Sequence, residues 1–248
     1  MKIRVLGYYG GYPDKGVGTS SYLLTSGKYH LLIDCGSGDL LSLERYLNPL
    51  ELNAVILSHY HHDHTADVGV LQYYWQLHPK NRREPELPVY GNTEDPLNFE
   101  SLNWMNSTKA MGYSENSVLH LGPLDITFKR THHPVPAFAM RIVERTTHKV
   151  LVFTADSNYF EGLAQFSRNA DLLITDTNYY ARENRVTPRW HMTSTECGKL
   201  ANHSHSKHLL LSHLPQYGNL YELVNEANQT AGKAVRVSLA RLGKLIEI

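Results

Sequence analysis

The sequence predicts an α+β chain: two β-rich halves with helices outside, layered αββα as one four-layer sandwich domain over residues 1–248. Three observations carry that prediction. Short apolar runs bounded by Gly, Pro and Asp recur along the chain, as strands do. The second half repeats the style of the first without repeating its sequence. Several runs end on His or Asp, and ligands of α/β folds collect at the carboxyl ends of strands.

The first half is strand-rich. Ile3–Tyr9, Ser21–Ser26 and His30–Asp34 read as short strands. Asn53–Ser58 is almost wholly apolar, so it reads as a strand covered on both faces. Ala66–His78 places Val68, Val70, Leu71, Tyr74, Trp75 and Leu77 near helical spacing. Asn81–Ser117 is polar and rich in Pro and Asn, with a short strand at Leu87–Tyr90 and a helix near Pro96–Met111. Its pattern suits a cap, an arm or an interface equally.

In the second half Ile126–Thr131, Phe138–Val143, Val150–Thr154, Asp171–Thr175 and His208–Ser212 read as strands, with Tyr159–Arg168 a short helix. Thr193 and Glu196 form a capping box that starts a helix over Ser194–Asn202. A last helix from Leu220 stops at Gly232, a residue suited to a left-handed cap. Val235–Leu239 and Lys244–Glu247 finish the chain as strands.

Composition narrows the function. The 24 Lys and Arg balance 24 Asp and Glu, so the chain lacks the basic excess of a generic nucleic-acid binder. No apolar stretch of signal-peptide or membrane-spanning length occurs, and a soluble, unexported, cytoplasmic protein is expected. Cys35 and Cys197 are far apart and form no C-x-x-C pair, so two structural thiols in a reducing compartment are expected.

The 15 His are the anomaly, because four of them crowd into Ser58-His59-Tyr60-His61-His62-Asp63-His64. Histidine is the commonest metal ligand and the usual acid or base near neutral pH. His59 and His61 lie two apart, so extended backbone projects both to one side. Asp63 and His64 begin the turn into the next helix and can aim at a second point. That suits two metals rather than one. Further ligands stand directly after buried-looking strands: His133, Asp156 and His213. The bland alternative is a solvated, His-rich loop.

HYHHDH fits the H-x-H-x-D-H signature, and over essentially the whole chain the sequence resembles the metallo-β-lactamase superfamily. Asp34 in LLIDCGSG resembles that superfamily's early strand-end Asp, and His133, Asp156 and His213 match its later ligand motifs in order. The segment from His133 through Arg141-Ile142, the phrases FTADSN and ADLLITDTNYY, and His191-Met-Thr-Ser resemble the ribonuclease Z branch. Two departures stand out. Thr175-Asp176 replaces that branch's His-Glu pair, and Asp156–Asp176 is too short for its tRNA-gripping arm. The resemblance narrows to shorter bacterial hydrolases called YhfI-like.

The resemblance implies two divalent ions, zinc first, with manganese or iron as alternatives. His59, His61 and His133 would hold one ion and Asp63, His64 and His213 the other, with Asp156 bridging. Asp34 would orient a ligand histidine through its distal nitrogen; its alternatives are a ligand or a turn residue capping Gly36. His191 would lie over the site and touch a phosphate oxygen or protonate a leaving group, with Asp176 raising its pKa; the alternative is a helix-terminal residue. Asp63, Asp176 and His191 are thus the candidate catalytic groups.

His62 and His132 should point away, and His30, His78, His120 and His148 should be surface residues. Tyr8, Tyr9 and Tyr12 lie in a glycine-rich loop that could stack a base or simply pack.

The expected activity is a phosphodiesterase on small or single-stranded nucleotide substrates. A lactonase, thioesterase or β-lactamase needs the same site, a tRNA 3′-processing endoribonuclease is a further alternative, and a metal-stabilised scaffold is the non-enzyme reading. The resemblance also implies a homodimer, with residues 81–117 and the Leu71–Trp75 patch as interface candidates.

Overall fold

Alternation of apolar and polar side chains sets the first strand, β1 (Lys2–Tyr9), which buries Ile3, Val5 and Leu6 completely. The structure is a computed structural model that describes residues 1–185 and 187–248. After β1 come β2 (Gly18–Thr19), β3 (Ser21–Ser26), β4 (Tyr29–Ile33), α1 (Asp39–Leu43), β5 (Ala54–Ile56), α2 (His62–Thr65) and α3 (Val68–Leu77). The region of ambiguous pattern resolves into β6 (Leu87–Asn92), α4 (Pro96–Glu100) and β7 (Thr108–Tyr113). The second half carries β8 (Val118–Leu121), β9 (Leu124–Arg130), β10 (Phe138–Glu144), β11 (Val150–Phe153), α5 (Glu161–Phe166) and β12 (Leu172–Asp176). It continues through α6 (Ser194–His203), β13 (His208–Ser212), α7 (Leu220–Ala231) and β14 (Arg236–Leu239), before the final β15 (Leu245–Glu247). Two mixed sheets with helices make this an α+β fold, as expected.

The chain divides into two units, Met1–Ser114 with Arg241–Glu247, and Glu115–Ala240 with Ile248. The first holds a sheet in the order β15-β1-β3-β4-β5-β6-β7, with β2 beside β1. Strands β4 to β7 pair in parallel, so β5 is covered throughout, as its unbroken apolar run requires. Its core gathers Leu6, Leu32, Val55, Leu57, Leu71 and Trp75.

The second unit holds a sheet in the order β14-β13-β12-β11-β10-β9-β8. Strands β8 to β11 pair antiparallel and β11 to β14 parallel. The capping box at Thr193 and Glu196 starts α6. Helices α6 and α7 pack closely at Gly198, where an added Cβ would lie 2.2 Å from the Ala227 carbonyl oxygen.

Four expectations are corrected. The helix expected over Pro96–Met111 stops at Glu100, and Thr108 onward is β7 instead. Ser107 and Thr108 are drawn into the core by hydrogen bonds to Gln72, which overrides local pattern. Gly232 ends α7 at positive φ, but its φ of 82° and ψ of 157° lie outside the left-handed helical region. Within the Leu71–Trp75 segment Leu71 and Trp75 are buried and Tyr73 is exposed, so the outward apolar residues of α3 are Val70, Tyr73 and Leu77. His30 is half-buried beside Thr25 rather than on the surface, and burial lowers its pKa. Among the described residues no helix is long and apolar enough to cross a membrane.

Candidate metal centre

In the first unit the site residues grow from the ends of β4 and β5. Asp34 follows β4 at φ 57°, a left-handed conformation costly for a residue with a Cβ. It is fully buried and accepts hydrogen bonds from the Ser58 backbone N–H (2.7 Å) and hydroxyl (2.9 Å). His64 Nδ1 stands 2.7 Å from Asp34 Oδ2. A carboxylate only accepts, so Nδ1 carries the proton and Nε2 keeps a bare lone pair for a metal.

The remaining donors of the HYHHDH segment sit close by. His59 Nδ1 is 3.0 Å from Ser58 Oγ, and His59 Nε2 is 3.2 Å from His61 Nδ1. Asp63 Oδ2 lies 3.5 Å from His64 Nε2 and accepts the Gly11 backbone N–H at 2.7 Å. His62 is exposed. Tyr113, buried at the end of β7, donates to the Leu57 carbonyl (2.6 Å) and pins the strand end that carries His59. Sequence reasoning missed Ser58, Gly11 and Tyr113, since nothing in their spacing marks them.

In the second unit the donors stand at the ends of β9, β11, β12 and β13. Ala155 and His213 both adopt positive φ, at 52° and 50°, so the backbone is bent just where each strand releases a site residue. Asp156 Oδ2 lies 3.3 Å from His213 Nε2 and 3.9 Å from His133 Nε2. Asp176 serves two histidines: Oδ1 meets His213 Nδ1 at 3.1 Å and Oδ2 meets His191 Nδ1 at 2.7 Å. The rings of His191 and His213 stack with centroids 5.2 Å apart. His132 turns away from this group, is exposed and stacks on Phe160.

Electrostatics follow from these contacts. Burial pulls the His191 imidazolium down, but the Asp176 charge and hydrogen bond, with Asp156 beyond, outweigh it and raise its pKa. Cys35 and Cys197 are free and buried, and burial raises both thiols, Cys197 to about 12. Neither is poised as a nucleophile or thiolate ligand.

The residues fit divalent metal. Carboxylates fix the Nδ1–H tautomer of His64 and His213, and each leaves its Nε2 lone pair beside another carboxylate oxygen. Imidazole and carboxylate donors without thiolate suit zinc, manganese or iron.

Two mixed sheets bearing such a strand-end His and Asp set define a metallo-hydrolase. The sequence profile described as "Metallo-beta-lactamase superfamily" matches residues 14–187, and the chain belongs to that superfamily. The chain is 43% identical over 239 residues to the "Probable metallo-hydrolase YhfI" of Bacillus subtilis, covering 96% of this chain and 97% of the relative. The crystal structure of YhfI superposes with a TM-score of 0.93 at 41% identity, over 99% of this chain and 98% of that one. Two more distant structures share the fold. Human tRNase Z, short form, has a TM-score of 0.77 at 20% identity, covering 100% of this chain and 99% of that one. A diphosphatase from the PhnP family has a TM-score of 0.73 at 16% identity, covering 100% and 97%.

Proposed function

We propose that this metallo-hydrolase is a phosphodiesterase acting on small or single-stranded nucleotide substrates. His59, His61, His133, Asp63, His64, Asp156 and His213 would hold two divalent ions. Zinc suits the donor set first. When bound, two such ions supply Lewis acidity toward phosphoryl oxygens and a water acidic enough to attack near neutral pH.

The chain's own groups do the rest. Asp34 holds the His64 ring in one tautomer and orientation. Asp176 orients His213 and keeps the proton on His191 Nδ1. In its protonated form His191 can hydrogen-bond a phosphate oxygen or give the leaving oxygen its proton through Nε2. That shared carboxylate is the observation that carries the reading, because it ties a proton-bearing group directly to a ligand histidine. The ribonuclease Z-like segments around His133 and His191 support phosphorus over carbon as the centre attacked.

The stretch 157–171 contains the short helix α5 and turns. This supports a small substrate over whole tRNA. In this reading residues 1–248 work as one cytoplasmic domain that pairs as a homodimer. The test is turnover of bis(p-nitrophenyl) phosphate by chelator-treated protein with and without added zinc or manganese. Metal-dependent turnover abolished by His64→Ala is expected. Absence of metal-dependent turnover, or a His64→Ala variant equal to wild type, overturns the reading. Faster hydrolysis of a lactone panel would move the activity to carbonyl esters.

A further inference from the structure

The first unit contains a cavity of about 430 Å³ that the metal-site residues do not line. Its volume falls within the range of small-molecule sites. One wall is the loop Pro13–Gly18 and the other is Ser37–Gly38 with the outer face of α1, from Leu41 to Arg45.

The loop wall is a built turn. Asp14 and Val17 exchange two backbone hydrogen bonds, of 3.1 and 2.9 Å. Between them Lys15 and Gly16 both take positive φ, 48° and 75°, the geometry of a type I′ turn. Lysine in that conformation is strained by about 1–2 kcal/mol, a cost that Asn or Gly would lessen or avoid. The same loop is anchored at Gly11 to Asp63, and the opposite wall is anchored by mutual bonds between Thr19 and Ser37. Both walls are therefore preorganised.

The lining has two characters. Pro13, Val17 and Leu41 supply apolar surface, and Leu41 is 70% exposed although it is a large aliphatic on a helix. Lys15 and Arg45 supply positive charge. Lys15 shares its charge with Asp14 at 3.3 Å, whereas the Arg45 guanidinium has no ion-pair partner among the described residues. A site with apolar walls, one uncommitted guanidinium and the hydroxyl of Ser42 is complementary to an anion on an apolar body.

We propose that this cavity binds a small organic anion with an aromatic or aliphatic body, Arg45 taking the anionic group and Leu41 and Val17 the body. The site is independent of the hydrolase reading, and its test needs neither metal nor turnover. The probe is 1-anilinonaphthalene-8-sulfonate, titrated by fluorescence into folded, chelator-treated protein. Wild type should bind it saturably at one site. Arg45→Glu and Leu41→Asp should each weaken binding at least about tenfold. Both residues are exposed, so neither change threatens folding. Lys80→Glu, an equal charge change outside the cavity, should bind within about twofold of wild type. Non-saturable binding by wild type, retention of affinity in both cavity variants, or an equal loss in Lys80→Glu overturns the proposal.

Discussion

His191 Nδ1 lies 2.7 Å from Asp176 Oδ2, while the other oxygen of that carboxylate meets His213 Nδ1 at 3.1 Å. One buried acid therefore sets the tautomer of a proposed ligand histidine and favours the charged form of its neighbour. Burial opposes the His191 charge, and Asp176 overcomes it. A raised native pKa means that His191 protonation stabilises the fold fully below its unfolded value, about 6.5. That contribution is lost as pH rises through the higher native pKa. In chelator-treated protein, Asp176→Asn should lower the His191 pKa, read by NMR titration of the imidazole protons. Hydrolysis of a phosphodiester should fall about 10- to 100-fold in the same variant. An unmoved pKa would show that Asp176 has no hold on that proton.

Asp34 should govern metal retention without touching metal. Its carboxylate is fully buried and spans His64 and both donors of Ser58. Asp34→Ala removes the partner that orients His64, and zinc affinity should drop about 10- to 100-fold in chelator competition. The comparison variant Asp34→Asn keeps a side-chain oxygen for the His64 N–H and should recover part of the loss. Equal affinities in all three proteins would reduce Asp34 to a turn residue.

The donors were legible because chemistry forces them into recognisable types at strand ends. Apolar runs locate the strands, and His133, Asp156 and His213 each stand within three positions of a strand end. Their supports were not legible. Gly11 reaches Asp63 across 52 positions of sequence through its backbone N–H, and the Tyr113 hydroxyl reaches the Leu57 backbone carbonyl across 56, so each contact has on one side a backbone group that any residue type carries. The region 81–117 misled for a related reason. Pro96 and Asp95 do start a helix, with Asp95 capping it, yet the core claims the chain again at Ser107 through Gln72. A polar tertiary contact has no periodic signature.

Acid stability should depend on Asp171. Burial pushes its carboxyl up, but Lys207, the Val150 backbone N–H and Lys149 together bring the pKa below the usual aspartate value. A depressed native pKa contributes stability above the unfolded value, about 3.9, and that contribution is lost as pH falls through the native one. Asp171→Asn should cost about 1 kcal/mol in urea unfolding at pH 7. The difference should vanish near pH 2–3, where both proteins carry an uncharged group. A constant difference across the pH range would assign the loss to packing instead.

The outward face of α3 should mediate self-association. Val70, Tyr73 and Leu77 are 51%, 54% and 72% exposed, and Trp104 lies against Tyr73 with ring centroids 5.4 Å apart. Exposed aromatic and aliphatic groups clustered this way mark interaction surfaces. Light scattering should report a dimer at micromolar concentration, and Tyr73→Glu with Leu77→Glu should report a monomer of unchanged thermal stability. A monomeric wild type rejects the homodimer.

Gly36 sets the spacing between the early loop and the ligand segment. A Cβ added there would stand 2.2 Å from Thr19 Oγ1 and 2.3 Å from the Asp63 carbonyl oxygen. One of those atoms is backbone of a proposed ligand, so relief must come from moving Asp63 itself. Gly36→Ala should therefore destabilise the fold by about 1–3 kcal/mol and weaken metal binding together. Gly69, on α3, meets nothing within 4 Å, and Gly69→Ala should instead stabilise by up to about 1 kcal/mol with metal affinity unchanged. Chemical unfolding and zinc titration of the two variants read both effects. If Gly36→Ala lost stability yet kept full metal affinity, the Asp63 backbone could shift without moving its carboxylate, and the coupling between loop and ligand would be absent.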